Sequence, residues 1–393
     1  MASHIRHGRF ALTVSFCVQG VVFALLVTRI PELKDQYGMP DGLLPVFLAA
    51  VPVLAGVGSV VTGRLVRRVP PAYVLRWVQP VVCLALPAVA AGDRLWQAAC
   101  GLGVFGLAVG ALDASMNMLG VGLQRAYGRS IMLGFHAAFS LGGIAGASLA
   151  WLGAHQEWSL ARLDVPVVAV VLPAAFIASR WYVVRTAEEP GSGHGSSAPG
   201  AGAARGLLPL CLVMTFAYIG DSTVSNWSAT YLHSVLHGSE QLATVPYNVY
   251  MATTLIGRSL GDLTVRRFGA VAVARAGAVV AAGGFAVVAM APGAWVGIGG
   301  FTLLGIGLCV IVPQIFAAAE DDASVARLNV FNYVGFLVGS PLVGVLGEAW
   351  SYRGAMCVPM TLVLATLLYV RSFGVLSDRY GDGHERPRTA DVG

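Results

Sequence analysis

The sequence predicts an all-α membrane protein, with twelve transmembrane helices in two pseudo-symmetric six-helix bundles. Three observations carry this. Of 393 residues, 56% are hydrophobic and only 11% are charged, with a mean hydropathy of +0.72; a soluble chain of this length needs more charge. Twelve apolar runs follow one another, roughly 10–28, 43–62, 73–91, 95–122, 131–153, 164–184, 207–232, 243–263, 270–291, 294–318, 328–347 and 354–373. The two sets of six also resemble each other.

Most runs reach the ~20 residues that cross ~30 Å of hydrocarbon. Lipid offers no partner to backbone N–H and C=O groups, so each run must be helical. A β-barrel is excluded, because the runs show no alternation of apolar and polar residues. The first run follows a basic start, MASHIRHGR, as a secretory leader would. No A-x-A-like cleavage site follows it, and the chain reads on as VTRIPEL. An uncleaved first span is the expectation.

Orientation comes from the basic residues, 24 Arg and one Lys. With both termini in the cytoplasm, Arg29, Lys34, Arg94, Arg162 and Arg353 fall outside, and the other 20 fall at or near the inner face. Flipping the chain inverts that bias. The expected location is the cytoplasmic (inner) membrane, multi-pass. The +5 net charge then reflects topology and not a nucleic-acid surface. Trp77, Trp96, Trp151, Trp158, Trp181, Trp295 and Trp350 fall near span ends, as interfacial belts require. The six cysteines, Cys17, Cys83, Cys100, Cys211, Cys309 and Cys357, all lie in apolar runs without a CxxC pair. They read as small buried hydrophobes; no disulfide, metal or cofactor is expected.

One stretch breaks the pattern. EEPGSGHGSSAPGAGAARG, residues 188–206, is rich in Gly, Ser, Ala and Pro and reads as a flexible linker. It defines an N-terminal bundle (1–187), a C-terminal bundle (207–373) and a cytoplasmic tail (374–393). Two internal matches support duplication. GRLVRRV at 63–69 corresponds to GDLTVRRFG at 261–269, and FSLGGIAG from Phe139 to FLVGSPLVG from Phe336, at offsets of 198 and 197. Repeats of this kind place a substrate site at their interface, near the midplane.

Of the 20 acidic residues, 18 fall in loops or near span ends; Asp113 in the fourth run and Asp221 in the seventh lie well inside. An acid at mid-membrane costs about 2.5–3.5 kcal/mol on insertion scales. Intramembrane acids usually face a polar cavity, and a buried carboxyl can load and release a proton near neutral pH. The structural alternative is an acid that only ties helices together. Asn117 lies four residues after Asp113, so both point one way, and it can hydrogen-bond either protonation state of the acid. Gly106 and Gly110 share that face, for close packing or as a cavity wall. His136 opens the fifth run at a depth similar to Asn117. The 197-residue offset puts Tyr333 opposite it, with Asn332 alongside. His136 is either a proton relay or a satisfied structural residue. Trp227, next to Asn226 inside the seventh run, is either a ring for stacking on a sugar or a deep belt tryptophan. Gln19, Tyr247 and Tyr250 are further cavity candidates. Arg29, before Pro31 at the outer end of the first run, is either a gate residue or a headgroup contact.

GRSLGDLTVRRFG, residues 257–269, resembles the loop motif of the major facilitator superfamily, with Gly257, Gly261, Asp262, Arg266, Arg267 and Gly269 matching and Arg258 inside it. In that resemblance Asp262 pairs with nearby arginines and holds the inward face closed. The first-half copy lacks the Asp. LDASMNMLGVGLQRAYGRSIMLGFHAAFSLGGIAGA (112–147), QGVVFALLVTRIPEL (19–33) and DSTVSNWSATYL (221–232) resemble the fucose-permease-like and rhizopine-permease-like branch of the same superfamily. Asn226 departs from the acid usual before the Trp in that branch. The resemblance implies a secondary transporter for a sugar or related polar metabolite, proton-coupled and monomeric, with lipids, protons and a small-molecule substrate as partners.

Uptake by proton symport is the leading expectation, and export by proton antiport the runner-up. The Gly-Pro motif of drug antiporters is missing from the fifth run, which reads SLGGIAGA. The rival class is a membrane enzyme. His136 and Ser140, one turn apart, are the single pairing that suggests a nucleophile; no HExxH or P-loop accompanies them.

Overall fold

The computed structural model describes residues 2–40, 43–183, 201–239, 242 and 245–373. The first half contains α1 (Ala2–Thr28), α2 (Ile30–Gln36), α3 (Leu44–Leu65), α4 (Pro71–Ala90), α5 (Leu95–Tyr127), α6 (Met132–His155) and α7 (Leu160–Ala178). The second contains α8 (Ala201–Ser234), α9 (Val245–Phe268), α10 (Ala270–Met290), α11 (Ala294–Leu308), α12 (Ile311–Ala317), α13 (Asp322–Ala349), α14 (Tyr352–Ala355) and α15 (Cys357–Tyr369).

These helices make the twelve spans of two pseudo-symmetric bundles. Ten spans are long and apolar enough to cross a membrane on composition alone. The remaining two are α3 and α9. Helix α9 fails the apolar criterion because it carries Arg258, Asp262, Arg266 and Arg267. Two spans are broken helices. Pro313 cannot donate to the carbonyl four residues back, and the tenth span divides into α11 and α12 around Cys309 and Val310. Pro359 does the same at Met356, between α14 and α15.

Three expectations change. Among the described residues α8 already includes Ala201, inside the stretch read as linker; Ala-rich AGAAR suits a helix. Residues 188–200 of that stretch and the tail 374–393 lie outside the described residues. The sixth span starts at Leu160 and not near 164. Ser159 caps it, its hydroxyl accepting from the Arg162 N–H at 3.3 Å. Asp164 is thereby drawn inside the bundle, only 3% exposed. All six thiols are free, but Cys100 and Cys357 face outward. A thiol is apolar enough to sit against lipid as well as in a core.

Without water, helices gain little from hiding apolar surface from each other, so close backbone approach at small residues decides packing. A Cβ on Gly20 of α1 would lie 2.1 Å from the Phe139 carbonyl oxygen of α6. One on Gly142 of α6 would lie 2.0 Å from the Cys17 carbonyl oxygen. The α3–α5 crossing is built alike: a Cβ on Gly110 would lie 1.8 Å from the Ala55 carbonyl oxygen. The face of Gly106 and Gly110 is therefore packed against α3 and is not a cavity wall. In the second bundle α8 packs on α13, and α10 on α11. The bundles meet along two seams, α6 against α9 and α3 against α13, which are equivalent under the internal repeat.

Candidate functional site

Asp113 sits in the middle of the long helix α5, and its carboxylate is held from both bundles. The Gln19 side-chain amide of α1 donates to Oδ1, and the Tyr333 hydroxyl of α13 donates to Oδ2. Gln19 is itself buried. Asn117, expected as the acid's partner, does something else. Its amide donates to the Asp113 main-chain carbonyl at 2.9 Å, and its Oδ1 has no partner. A residue at i+4 is well placed for that carbonyl, whereas the carboxylate leans away from the helix axis towards α1 and α13.

Asp221 of α8 accepts a hydrogen bond from the Tyr250 hydroxyl of α9. Tyr218, one turn earlier on α8, is in electrostatic reach of Asp221, Asp113 and Arg258 at once. The two acids thus belong to one polar layer that crosses the bundle interface. Arg258 lies ten residues before the end of α9, about 15 Å along its axis, and so is well inside the protein. The sequence had placed it among the inner-face arginines and the gating motif. Its Nη1 donates to the Ser140 hydroxyl of α6 at 2.8 Å. His136, one turn before Ser140, has its ring between Phe16 (5.5 Å between centroids) and Phe316 (6.1 Å). Its buried Nε2 has no partner.

The Ser140 hydroxyl donates to the His136 main-chain carbonyl at 3.1 Å and not to the imidazole. A serine nucleophile needs that imidazole bond, so the pairing that suggested an enzyme does not form.

The gating motif is assembled differently from the expectation. Asp262 is buried, and its carboxylate is not within 4 Å of an arginine among the described residues. It lies across the seam at the N-terminus of α6. Oδ1 accepts from the Ser130 hydroxyl at 2.6 Å and the Leu133 N–H at 3.3 Å, and Oδ2 accepts from the Gly134 N–H at 2.9 Å. Free N–H groups and the positive end of the helix dipole make this a strong seat for a carboxylate. Arg266 grips the same turn, donating to the Ser130 carbonyl at 2.6 and 3.1 Å. Gly261 permits the approach, since a Cβ there would lie 2.2 Å from Leu133 Cδ2. Gly257 lies against Cys309 in the same way, at 2.4 Å. Arg267 points away, its guanidinium 5.3 Å from the Phe268 ring. On the equivalent seam, the Asn329 amide of α13 donates to the Ser59 hydroxyl of α3 at 2.9 Å.

The remaining candidates lie outside the layer or at its edge. Asn332 is buried and reaches Asn329 at 3.4 Å. Tyr247 stacks on Tyr250 with centroids 6.4 Å apart. Asn226 is exposed and donates to the Ser222 carbonyl of its own helix at 2.9 Å. Trp227 packs within the second bundle, its indole N–H on the Ser340 carbonyl at 3.0 Å and its ring 5.3 Å from Tyr352. That is a packing role and not a free stacking face. Arg29, 4% exposed, is neither a headgroup contact nor part of the layer. It pairs with Glu32 at 3.2 Å and donates to the Trp158 carbonyl at 2.9 Å, at the far end of α1. Tyr218 and Asp164 were missed from the sequence. Tyr218 sits one turn from Asp221 on the same face, a signal that spacing does contain.

No protein-family profile matches the chain. An uncharacterized MFS-type transporter of Yersinia pestis is 28% identical over 365 residues, covering 89% of this chain and 92% of the relative. The membrane protein MosC of Rhizobium meliloti is 27% identical over 390 residues, covering 96% and 92%. Among solved structures, the MFS transporter FucP in its outward conformation superposes with a TM-score of 0.77 at 16% identity, over 93% of this chain and 98% of FucP. The human organic anion transporter MFSD10 (TETRAN) superposes at 0.78 and 13% identity, over 93% and 99%. Fold and sequence likeness agree on the class: the chain is a multi-pass membrane protein similar to transporters of the major facilitator type. Within it, the chain resembles the fucose-permease-like and rhizopine-permease-like branch that its motifs pointed to.

Proposed function

We propose that the chain moves a small polar metabolite across the cytoplasmic membrane by alternating access, as a proton symporter. One observation carries this reading: the Asp113 carboxylate accepts from Gln19 of one bundle and Tyr333 of the other. A proton on Asp113 removes an acceptor from that junction, so protonation and bundle contact are linked. A purely structural acid is a poor alternative. Its placement costs about 2.5–3.5 kcal/mol, whereas interhelical hydrogen bonds in membranes contribute about 0.6 kcal/mol each. FucP is described as a fucose:proton symporter, which agrees with the coupling ion; its fold does not choose the substrate.

Among the described residues, hydrogen bonds between the bundles run from the Asp113 and Ser140 level only towards one end. They include Asn329–Ser59, Asp262–Gly134 and Arg125 to the Glu320 carbonyl at 2.8 Å. With the orientation expected from the basic residues, that end is cytoplasmic and the arrangement reads as outward-facing.

The function is tested in proteoliposomes with an imposed pH gradient and a panel of labelled sugars and related metabolites. Uphill, proton-driven uptake of one of them is expected; accumulation driven only by a reversed gradient would mean export. Orientation has its own test, in a background with the native cysteines replaced. An impermeant thiol reagent added to intact cells should label His237→Cys and leave Arg68→Cys unmodified. Labelling at 68 would invert the topology.

A further inference from the structure

Arg258 is a half-buried cation, ten residues inside its span, whose charge is not matched by contact among the described residues. Its Nη1 is used by the neutral Ser140 hydroxyl at 2.8 Å. Its Nε is buried and has no partner. No carboxylate lies within 4 Å of it among the described residues. Both acids of the polar layer are engaged by neutral donors, Asp221 by Tyr250 and Asp113 by Gln19 and Tyr333. On the same side, one turn of α6 from Ser140, the His136 Nε2 is also buried and unpartnered. The ring lies between Phe16 and Phe316. The seam between α6 and α9 therefore holds an unpartnered guanidinium nitrogen and an unpartnered imidazole nitrogen, with Asp221 in electrostatic reach of Arg258.

We propose that Arg258, with His136 beside it, is the docking point for a carboxylate of the substrate, which is a hydroxylated carboxylic acid and not a neutral sugar. This rests on the transporter reading above. A guanidinium is weakly hydrated, always charged and shaped to hold a carboxylate through two parallel N–H donors. A carboxylate on the substrate would give the Arg258 guanidinium the direct anionic contact that it lacks among the described residues. A phosphate dianion would bring twice the negative charge of a carboxylate into a layer that already holds Asp113 and Asp221, so the monoanion is the better fit. The hydroxyl groups of the substrate then face Tyr218, Tyr250 and Asn332, which supply donors and acceptors. Binding the anion at Arg258 and a proton at Asp113 loads the two in the same layer.

The test uses the purified full-length chain and matched probes: galactose with galacturonate, glucose with gluconate and xylose with xylonate. Thermal stability and equilibrium binding are measured for each. At least one acid should raise the melting temperature while its neutral counterpart does not. In Arg258→Gln the acid should bind on the order of 30-fold or more weakly, as when one member of a buried charge pair is truncated; Arg258→Lys should retain part of the affinity. The wild-type protein alone supplies a further arm, because the methyl ester of the same acid should not bind. The proposal is overturned if a neutral sugar binds as well as its acid, if the ester binds like the acid, if the acid's affinity survives Arg258→Gln, or if none of the acids binds. An acid that binds through Arg258 but is not carried in vesicles would defeat the transport reading alone. A neutral sugar carried uphill would defeat the carboxylate assignment alone.

Discussion

Asp113→Asn is expected to abolish the proposed proton-driven accumulation of substrate while leaving substrate binding and exchange across the membrane in place. The argument follows from the junction around the acid. The amide is permanently neutral, so it imitates the loaded form and cannot release a proton. Its oxygen can still accept from Gln19 or Tyr333, and its NH2 can donate to the Tyr333 oxygen or to a reversed Gln19 amide. The contact between the bundles therefore survives, and the transporter still folds and rocks. What is lost is the step in which charge returns to the site. In proteoliposomes under a pH gradient, the internal substrate concentration should rise only to that outside, while counterflow of labelled against unlabelled substrate persists. Asp221→Asn should weaken affinity instead, because its partner Tyr250 belongs to one bundle with it. Persistent uphill transport in Asp113→Asn would make that acid structural. Uncoupling in Asp221→Asn alone would exchange the two roles.

Asp262→Asn should weaken the closed end. The carboxylate holds one hydroxyl and two main-chain N–H groups at the start of α6. Its charge also complements the helix dipole, and together the charge-dependent part is worth about 1–2 kcal/mol. Each 1.4 kcal/mol is tenfold in an equilibrium constant, so the closed state should lose about 5- to 30-fold in population. Ala326 packs on Gly63 across the other seam, where its Cβ is 2.8 Å from the position of a glycine Cβ. A cysteine at 326 should therefore react faster with a thiol reagent supplied on the cytoplasmic side of inside-out vesicles. Transport should fall while expression and membrane insertion hold. Wild-type transport together with unchanged labelling would remove the latch role.

The twelve spans were legible because lipid forces every long apolar run into one kind of structure. Asp113 was legible for a related reason: an acid in such a run is costly wherever it points. The 197-residue offset also brought Tyr333 into view from the far bundle. Partners were not legible. Helical periodicity tells which face a side chain occupies, but not which helix lies opposite. Gln19 and Tyr333 are 94 and 220 residues from Asp113. Neighbourhood in sequence misled twice, once in giving Asn117 to the acid at i−4 and once in giving Asp262 to Arg266 and Arg267. In each case a main-chain group satisfied one of the pair. Arg258 was misread because a count of charges per loop assigns an arginine to the nearest membrane face, whatever its depth along the helix. Trp227 was ambiguous because its neighbours Ser340 and Tyr352 come from beyond residue 330.

The glycine crossings of α1 with α6 and of α3 with α5 leave no slack inside the first bundle, since main chain touches main chain there. In engineering terms this is a stiff chassis, with compliance confined to the joint between the bundles. A random substitution at Gly20, Gly110 or Gly142 must break the chassis, because even one added carbon has nowhere to go. A substitution along the α3–α13 joint, where a neutral amide meets a hydroxyl, changes only how easily the joint turns. Variants with altered turnover or direction should therefore be found among joint residues, and inactive, poorly expressed ones at the crossings.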